Sequence, residues 1–87
     1  MIQEKVIIKN PLGLHIRPAG VLAKIATDCN SKITMIFKNK TINCKSIINI
    51  MSANIKNNDE VTVVCEGETE KEDLQLIIEA IKNKLGE

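Results

Sequence analysis

"KITMIFKNKTINCK", Lys32 to Lys45, alternates apolar and polar residues on both sides of a polar centre: Ile33, Met35 and Phe37 precede it, and Ile42 and Cys44 follow it. Alternation with period two marks a strand that buries one face. Only Asn39 and Lys40 separate the two runs, a hairpin-sized gap whose asparagine tolerates positive φ. An antiparallel hairpin with one apolar face is expected. Two further runs follow the same rule, "KVIIK" around Val6 and Ile8, and "EVTVVCE" through Val61, Val63 and Cys65. Four strands that each bury a single face need a second layer to cover it.

Three helical stretches supply that layer. Leu74, Ile77, Ile78, Ile81 and Leu85 recur at steps of three and four, entered through Thr69-x-x-Glu72 as a capping box and left at Gly86. Another helix runs from Ile16 towards Asp28, with Ala19, Leu22 and Ala26 as a narrow inward stripe beside Val21 and Ile25. Pro18 is tolerable only in its first turn, which fixes its start at or next to His15. The third, "SIINIMSAN", opens on Ser46 as N-cap and closes at Asn54, which accepts the left-handed conformation. Two turns cannot place Ile47, Ile48, Ile50 and Met51 on one face, so part of this apolar surface is expected to meet water. The order strand, helix, strand, strand, helix, strand, helix gives an α+β fold, an open-faced sandwich with helices on one side of the sheet.

With 87 residues and no linker, repeat or low-complexity segment, the chain is expected to form one domain, 1–87. Twelve basic residues against 11 acidic ones leave a net charge of +1, and there is one Phe with no Tyr or Trp. Neither a basic field nor stacking platforms exist for nucleic acid, which is excluded as a partner on that reading. Cys29, Cys44 and Cys65 are odd in number and widely spaced, with no C-x-x-C pair and a single His in the chain. They fit buried small hydrophobes in a reducing compartment, and no metal site or cofactor is expected. "MIQEKVIIKN" carries charges inside its apolar run, so neither a signal peptide nor membrane insertion is expected, and the cytoplasm is the default location.

The only histidine and the only arginine stand two residues apart, in "GLHIRPAG", Gly13 to Gly20. A helix that begins at Ile16 puts His15 at the N-cap, where Ser, Thr, Asp or Asn serves better. The first turn presents unpaired N–H groups and the positive end of the helix dipole, so the amides of Ile16 and Arg17 could hold an anion. Arg17 adds a charged fork suited to phosphate oxygens. The positive helix end and the guanidinium favour a neutral, nucleophilic imidazole, able to attack a phosphoryl donor. Gly13 lets the preceding loop turn back. From the residues alone, a solvated His–Arg loop pair stays open beside a phosphate-handling histidine.

"NPLGLHIRPAGVLAKIA" resembles the phosphorylation-site segment of the HPr family, the histidine-containing phosphocarriers of the bacterial phosphoenolpyruvate-dependent sugar phosphotransferase system. The Gly-x-His-x-Arg-Pro-Ala run is matched by Gly13, His15, Arg17, Pro18 and Ala19, and "KSIINIMS", Lys45 to Ser52, resembles the family's regulatory-serine region. The resemblance implies a four-stranded antiparallel sheet in the order first, fourth, second, third, under three helices. It implies that His15 accepts a phosphoryl group through Nδ1 from phospho-enzyme I and passes it to IIA domains of sugar permeases. Arg17 then stabilises the phosphate, and Gly20, Ile47, Ile48 and Met51 form a docking patch for both partners. Ser46 is the implied target of an HPr kinase/phosphorylase and, once modified, a contact for a catabolite control repressor. A monomeric carrier, consumed and regenerated without being an enzyme, is the expectation.

Asn49 and Asn54 stand where members with the regulatory serine commonly have Gly, Ala53 replaces a larger aliphatic residue, and Ile16 replaces a small one. Two other functions fit the same motifs: a regulator that works only through Ser46 and the patch, and a relay serving nitrogen control. Retention of His15 weighs against the first.

Overall fold

The computed structural model describes residues 1–87. The chain forms β1 (Ile2–Ile7), α1 (Ile16–Thr27), β2 (Lys32–Phe37), β3 (Lys40–Asn43), α2 (Ile47–Ser52), β4 (Glu60–Glu66) and α3 (Glu70–Lys82), and ends in a 3-10 turn, Lys84–Gly86. The four strands make one antiparallel sheet in the order β1-β4-β2-β3. This is the expected open-faced α+β sandwich.

Register follows the alternation. Val6 pairs with Val61, Ile33 with Cys65, and Met35 with both Val63 and Ile42, so the apolar residues of neighbouring strands share one face. Val61, Val63, Ile33, Met35, Ile42 and Cys65 are all buried there. The opposite face carries Gln3, Lys5, Lys32, Thr34 and Thr62 and is left open. Three helices close the inner face. Leu22 of α1, Ile50 of α2 and Ile77 and Ile81 of α3 are fully buried against it, in one cluster of 24 residues.

Local chemistry moves some boundaries. The hairpin turns at Lys38 and Asn39, both with positive φ, and Phe37 pairs with Lys40, one residue earlier than the apolar pattern indicates. Two successive left-handed residues match the twist of the flanking strands. Thr69 stands at the N-cap of α3 without capping it; its hydroxyl donates to Asp73 at 2.8 Å, and the Glu70 carboxylate accepts from the Gly67 amide at 3.2 Å. The expected capping box does not form, because a buried carboxylate four residues on takes the hydroxyl. Leu85 remains part of the core, yet it arrives there through a left-handed turn (φ 50°) rather than as helix. Cys29, Cys44 and Cys65 are buried free thiols. Burial pushes the Cys44 thiol up to about 12 and the Cys65 thiol up to about 11, which keeps both protonated and unreactive near neutrality.

Candidate functional site

The loop from β1 to α1 is held by its backbone. Ile8 N–H donates to the Asp59 carbonyl at 2.9 Å, Asn58 N–H to the Ile8 carbonyl at 2.7 Å, and Leu14 N–H to the Ile55 carbonyl at 3.0 Å. Gly13 makes this possible: its φ is +69°, and a Cβ there would fall on the Ile55 carbonyl oxygen. The chain thus delivers His15 to the N-cap of α1 in extended conformation (φ −77°, ψ −170°).

His15 makes no side-chain capping bond, and its ring is about 31% exposed. Its backbone carbonyl accepts from the Ala19 amide at 3.0 Å, which begins the helix. Ile16 and Arg17 lie in the first turn, where amides have no acceptor inside the helix, and Pro18 contributes none. Arg17 is exposed and enters no ion pair. An imidazole, two free amides and an unpaired guanidinium therefore surround the positive end of one helix dipole, an arrangement suited to a phosphate-sized anion.

A carboxylate completes the site. His15 Nε2 is hydrogen-bonded to Glu87 Oε2, while Asn10, wholly buried, donates through Nδ2 to Glu87 Oε1 and to the Lys84 carbonyl at 2.9 Å. The Asn10 amide and then the His15 ring hold the Glu87 carboxyl below the usual carboxylate range. Glu87 reaches the ring because Lys84 and Leu85 both take positive φ, and the buried Leu85 pins the turn. Glu87 and Asn10 were not evident from the sequence. They lie 72 residues after and five residues before His15, outside any spacing that marks a site.

The second segment lies beside the first, with α2 packed against α1. Gly20, Ser46, Ile47 and Ile48 line one shallow hollow together with Lys24, Asp28 and Lys45, and Met51 lines a second hollow with His15. Ile48 is 78% exposed and Ile47 and Met51 are partly so, while Ile50 is fully buried, the division expected of a two-turn helix. Leu12 and Ile16, on either side of His15 in the chain, are also largely exposed. Ser46 caps α2, its Oγ accepting from the Asn49 amide at 3.2 Å. Asn49 in turn accepts from the Asn43 amide through Oδ1 at 2.8 Å, a tie from α2 to the end of β3 that glycine could not make. Asn54 ends the helix with φ 60°.

An antiparallel sheet under three helices, with a histidine and an arginine at the open end of the first, defines the class of open-faced phosphocarriers. The chain matches, over residues 2–83, the family described as the PTS HPr component phosphorylation site. It is 42% identical over 85 residues to the phosphocarrier protein HPr of Mycoplasma capricolum, covering 98% of this chain and 91% of the relative. It is 40% identical over 74 residues to that of Mycoplasma pneumoniae, 84% of either chain. A crystal structure of HPr from Thermoanaerobacter tengcongensis superposes with a TM-score of 0.94 at 36% identity, covering 100% of this chain and 98% of the other. The chain belongs to the HPr family, the phosphocarrier proteins of the phosphotransferase system.

Proposed function

We propose that the chain, residues 1–87 acting as one carrier domain and as a monomer, accepts a phosphoryl group on His15 from phospho-enzyme I and delivers it to IIA domains of sugar permeases. The observation that carries this reading is the His15 ring at the open N-terminus of α1, with Nδ1 unpartnered and the unpaired Arg17 two residues on. Phosphoryl transfer asks little covalent work of a protein beyond the nucleophile itself; positioning and charge stabilisation dominate. The amides of Ile16 and Arg17 and the guanidinium stand ready where the equatorial oxygens gather charge. Gly20, Ile47, Ile48 and Met51 receive the partners, and a small apolar patch suits contacts that must release quickly. Ser46, at the N-cap of α2 beside Lys24 and Lys45, is the regulatory site: a phosphate there is compatible with the helix end and alters the charge of the docking surface.

The test is intact mass after incubation with phosphoenolpyruvate and enzyme I. One acid-labile phosphoryl group is expected on the wild type and none on His15→Ala. Labelling that survives in His15→Ala would overturn the assignment.

A further inference from the structure

We infer that Glu87, set in place by Asn10, is a positioning residue for phosphoryl transfer: it holds the His15 ring with Nε2–H donated to a carboxylate, leaving Nδ1 as the nucleophile. This deepens the carrier reading above and rests on it. The two ring nitrogens are not equivalent here. Nε2 is occupied by Glu87, whereas Nδ1 takes neither a capping bond nor any other partner. A carboxylate can only accept, so the proton between the two groups belongs on Nε2, and a neutral ring then carries its lone pair on Nδ1. Which nitrogen reacts follows from the bond made by the other.

The carboxylate is itself fixed. Asn10 is fully buried, and its Nδ2 spans Glu87 Oε1 and the Lys84 carbonyl, tying the side chain and the turn that bears it to the loop that delivers His15. Leu85, 1% exposed, anchors the same turn in the core. A carboxylate on an untethered turn would sample many positions and orient little; this one has support on both sides.

The charge changes agree with this geometry. In the transfer step the Nδ1 lone pair forms the N–P bond while the bond from phosphorus to the donor breaks, its electron pair staying with the donor. The ring, having given up a lone pair and kept its Nε2 proton, becomes positive. That charge develops directly against the Glu87 carboxylate, while the phosphoryl oxygens lie towards the amides of α1 and Arg17. On delivery to the next acceptor the sequence reverses and the N–P pair returns to Nδ1.

The experiment compares the wild type with Glu87→Gln, Glu87→Ala and Asn10→Ala. Ring ¹⁵N shifts of His15, which need no donor, report the tautomer; NMR after treatment with phosphoenolpyruvate and enzyme I reports the phosphorylated nitrogen; single-turnover kinetics report the rate. The wild type is expected in the Nε2–H form and phosphorylated at Nδ1. Both Glu87 variants are expected to slow acceptance by about tenfold or more, as loss of an orienting carboxylate does elsewhere. Glu87→Ala should also populate the Nδ1–H form. Asn10→Ala should move the ring in the same direction, and Asn10→Ala combined with Glu87→Ala should add little to Glu87→Ala alone. Wild-type rates and tautomer ratios in both Glu87 variants would overturn the positioning role while leaving the carrier reading in place, as would phosphorylation of the wild type at Nε2. A wild type that accepts no phosphate would overturn both.

Discussion

Arg17 is the one cation at the N-terminus of α1 that no acidic side chain has claimed, since Glu87 bonds to His15 and Asn10 instead. The task in transfer proposed for it is therefore separable from any task in folding. Arg17→Ala is expected to slow phosphoryl acceptance by about 10²-fold, the usual cost of removing one preorganised donor from a developing anion, with an unchanged melting temperature. Arg17→Lys keeps the charge and loses the fork, so it should fall between the two. Stopped-flow or quenched-flow rates with phospho-enzyme I decide this, and a wild-type rate in Arg17→Ala would remove the guanidinium from the site. Gly13 is the opposite case, a residue needed for the backbone alone. Its φ of +69° and its approach to the Ile55 carbonyl leave no room for a methyl group. Gly13→Ala should cost about 1–3 kcal/mol. For a domain of this size each kcal/mol lowers the melting temperature by roughly 4–8 °C. Thermal unfolding followed by circular dichroism reads this directly. An unshifted transition would mean that the loop relaxes away from Ile55 without loss.

The helix α2 has two properties that one residue joins, because Ser46 both caps it and lies in the proposed docking region. Substitutions there separate the roles. Ser46→Ala removes the acceptor for the Asn49 amide and should cost about 1 kcal/mol of stability. Ser46→Asp supplies an equally good cap with a negative charge at the positive helix end, so stability should be kept or raised while transfer from phospho-enzyme I slows. Parallel loss of stability and transfer in both variants would reduce Ser46 to a cap. What the sequence revealed at this scale was whatever depends on neighbours. The strand alternation, the inward stripe of α1 and the position of Pro18 all act within one element, and each led to the observed fold. The site's motif was legible for the same reason, with His15 and Arg17 two residues apart on one turn. The misplaced details share another cause. Thr69 gives its hydroxyl to Asp73, which is also bound by the Ser31 amide, and Glu87 reaches His15 only after a left-handed turn pinned by Leu85. Tertiary partners settled those contacts, and no local pattern encodes them.

Across the whole molecule, one buried charge joins parts that the core alone would leave adjacent. Asp73 is 8% exposed and accepts from the Ser31 amide at 3.1 Å and the Thr69 hydroxyl at 2.8 Å, tying the segment that enters β2 to the first turn of α3. Burial pushes its carboxyl up, yet the hydrogen bonds from Ser31 and Thr69 outweigh that and hold it below the ordinary aspartate value of 3.8. A group that titrates lower when folded than when unfolded contributes its full stabilisation above the unfolded value and loses it as the pH falls through the folded one. Glu70 and Glu87 also titrate low, the first chiefly through the Gly67 amide and then the Met1 ammonium, the second through Asn10 and then His15. Both lie at the surface, where salt screens the charged part of those interactions. The acid limb of the stability curve should therefore begin as the pH falls through the ordinary glutamate value of 4.5 and steepen below the aspartate value of 3.8, and its salt-insensitive part should belong to Asp73. Asp73→Ala leaves the buried Ser31 amide and the partly buried Thr69 hydroxyl without their acceptor and is expected to cost about 1–3 kcal/mol at neutral pH. The same variant should flatten the fall in stability between the ordinary aspartate value and the lower folded one. Urea unfolding at a series of pH values and two salt concentrations measures both effects, and an acid limb of unchanged steepness in Asp73→Ala would assign the acid sensitivity to the surface carboxylates instead.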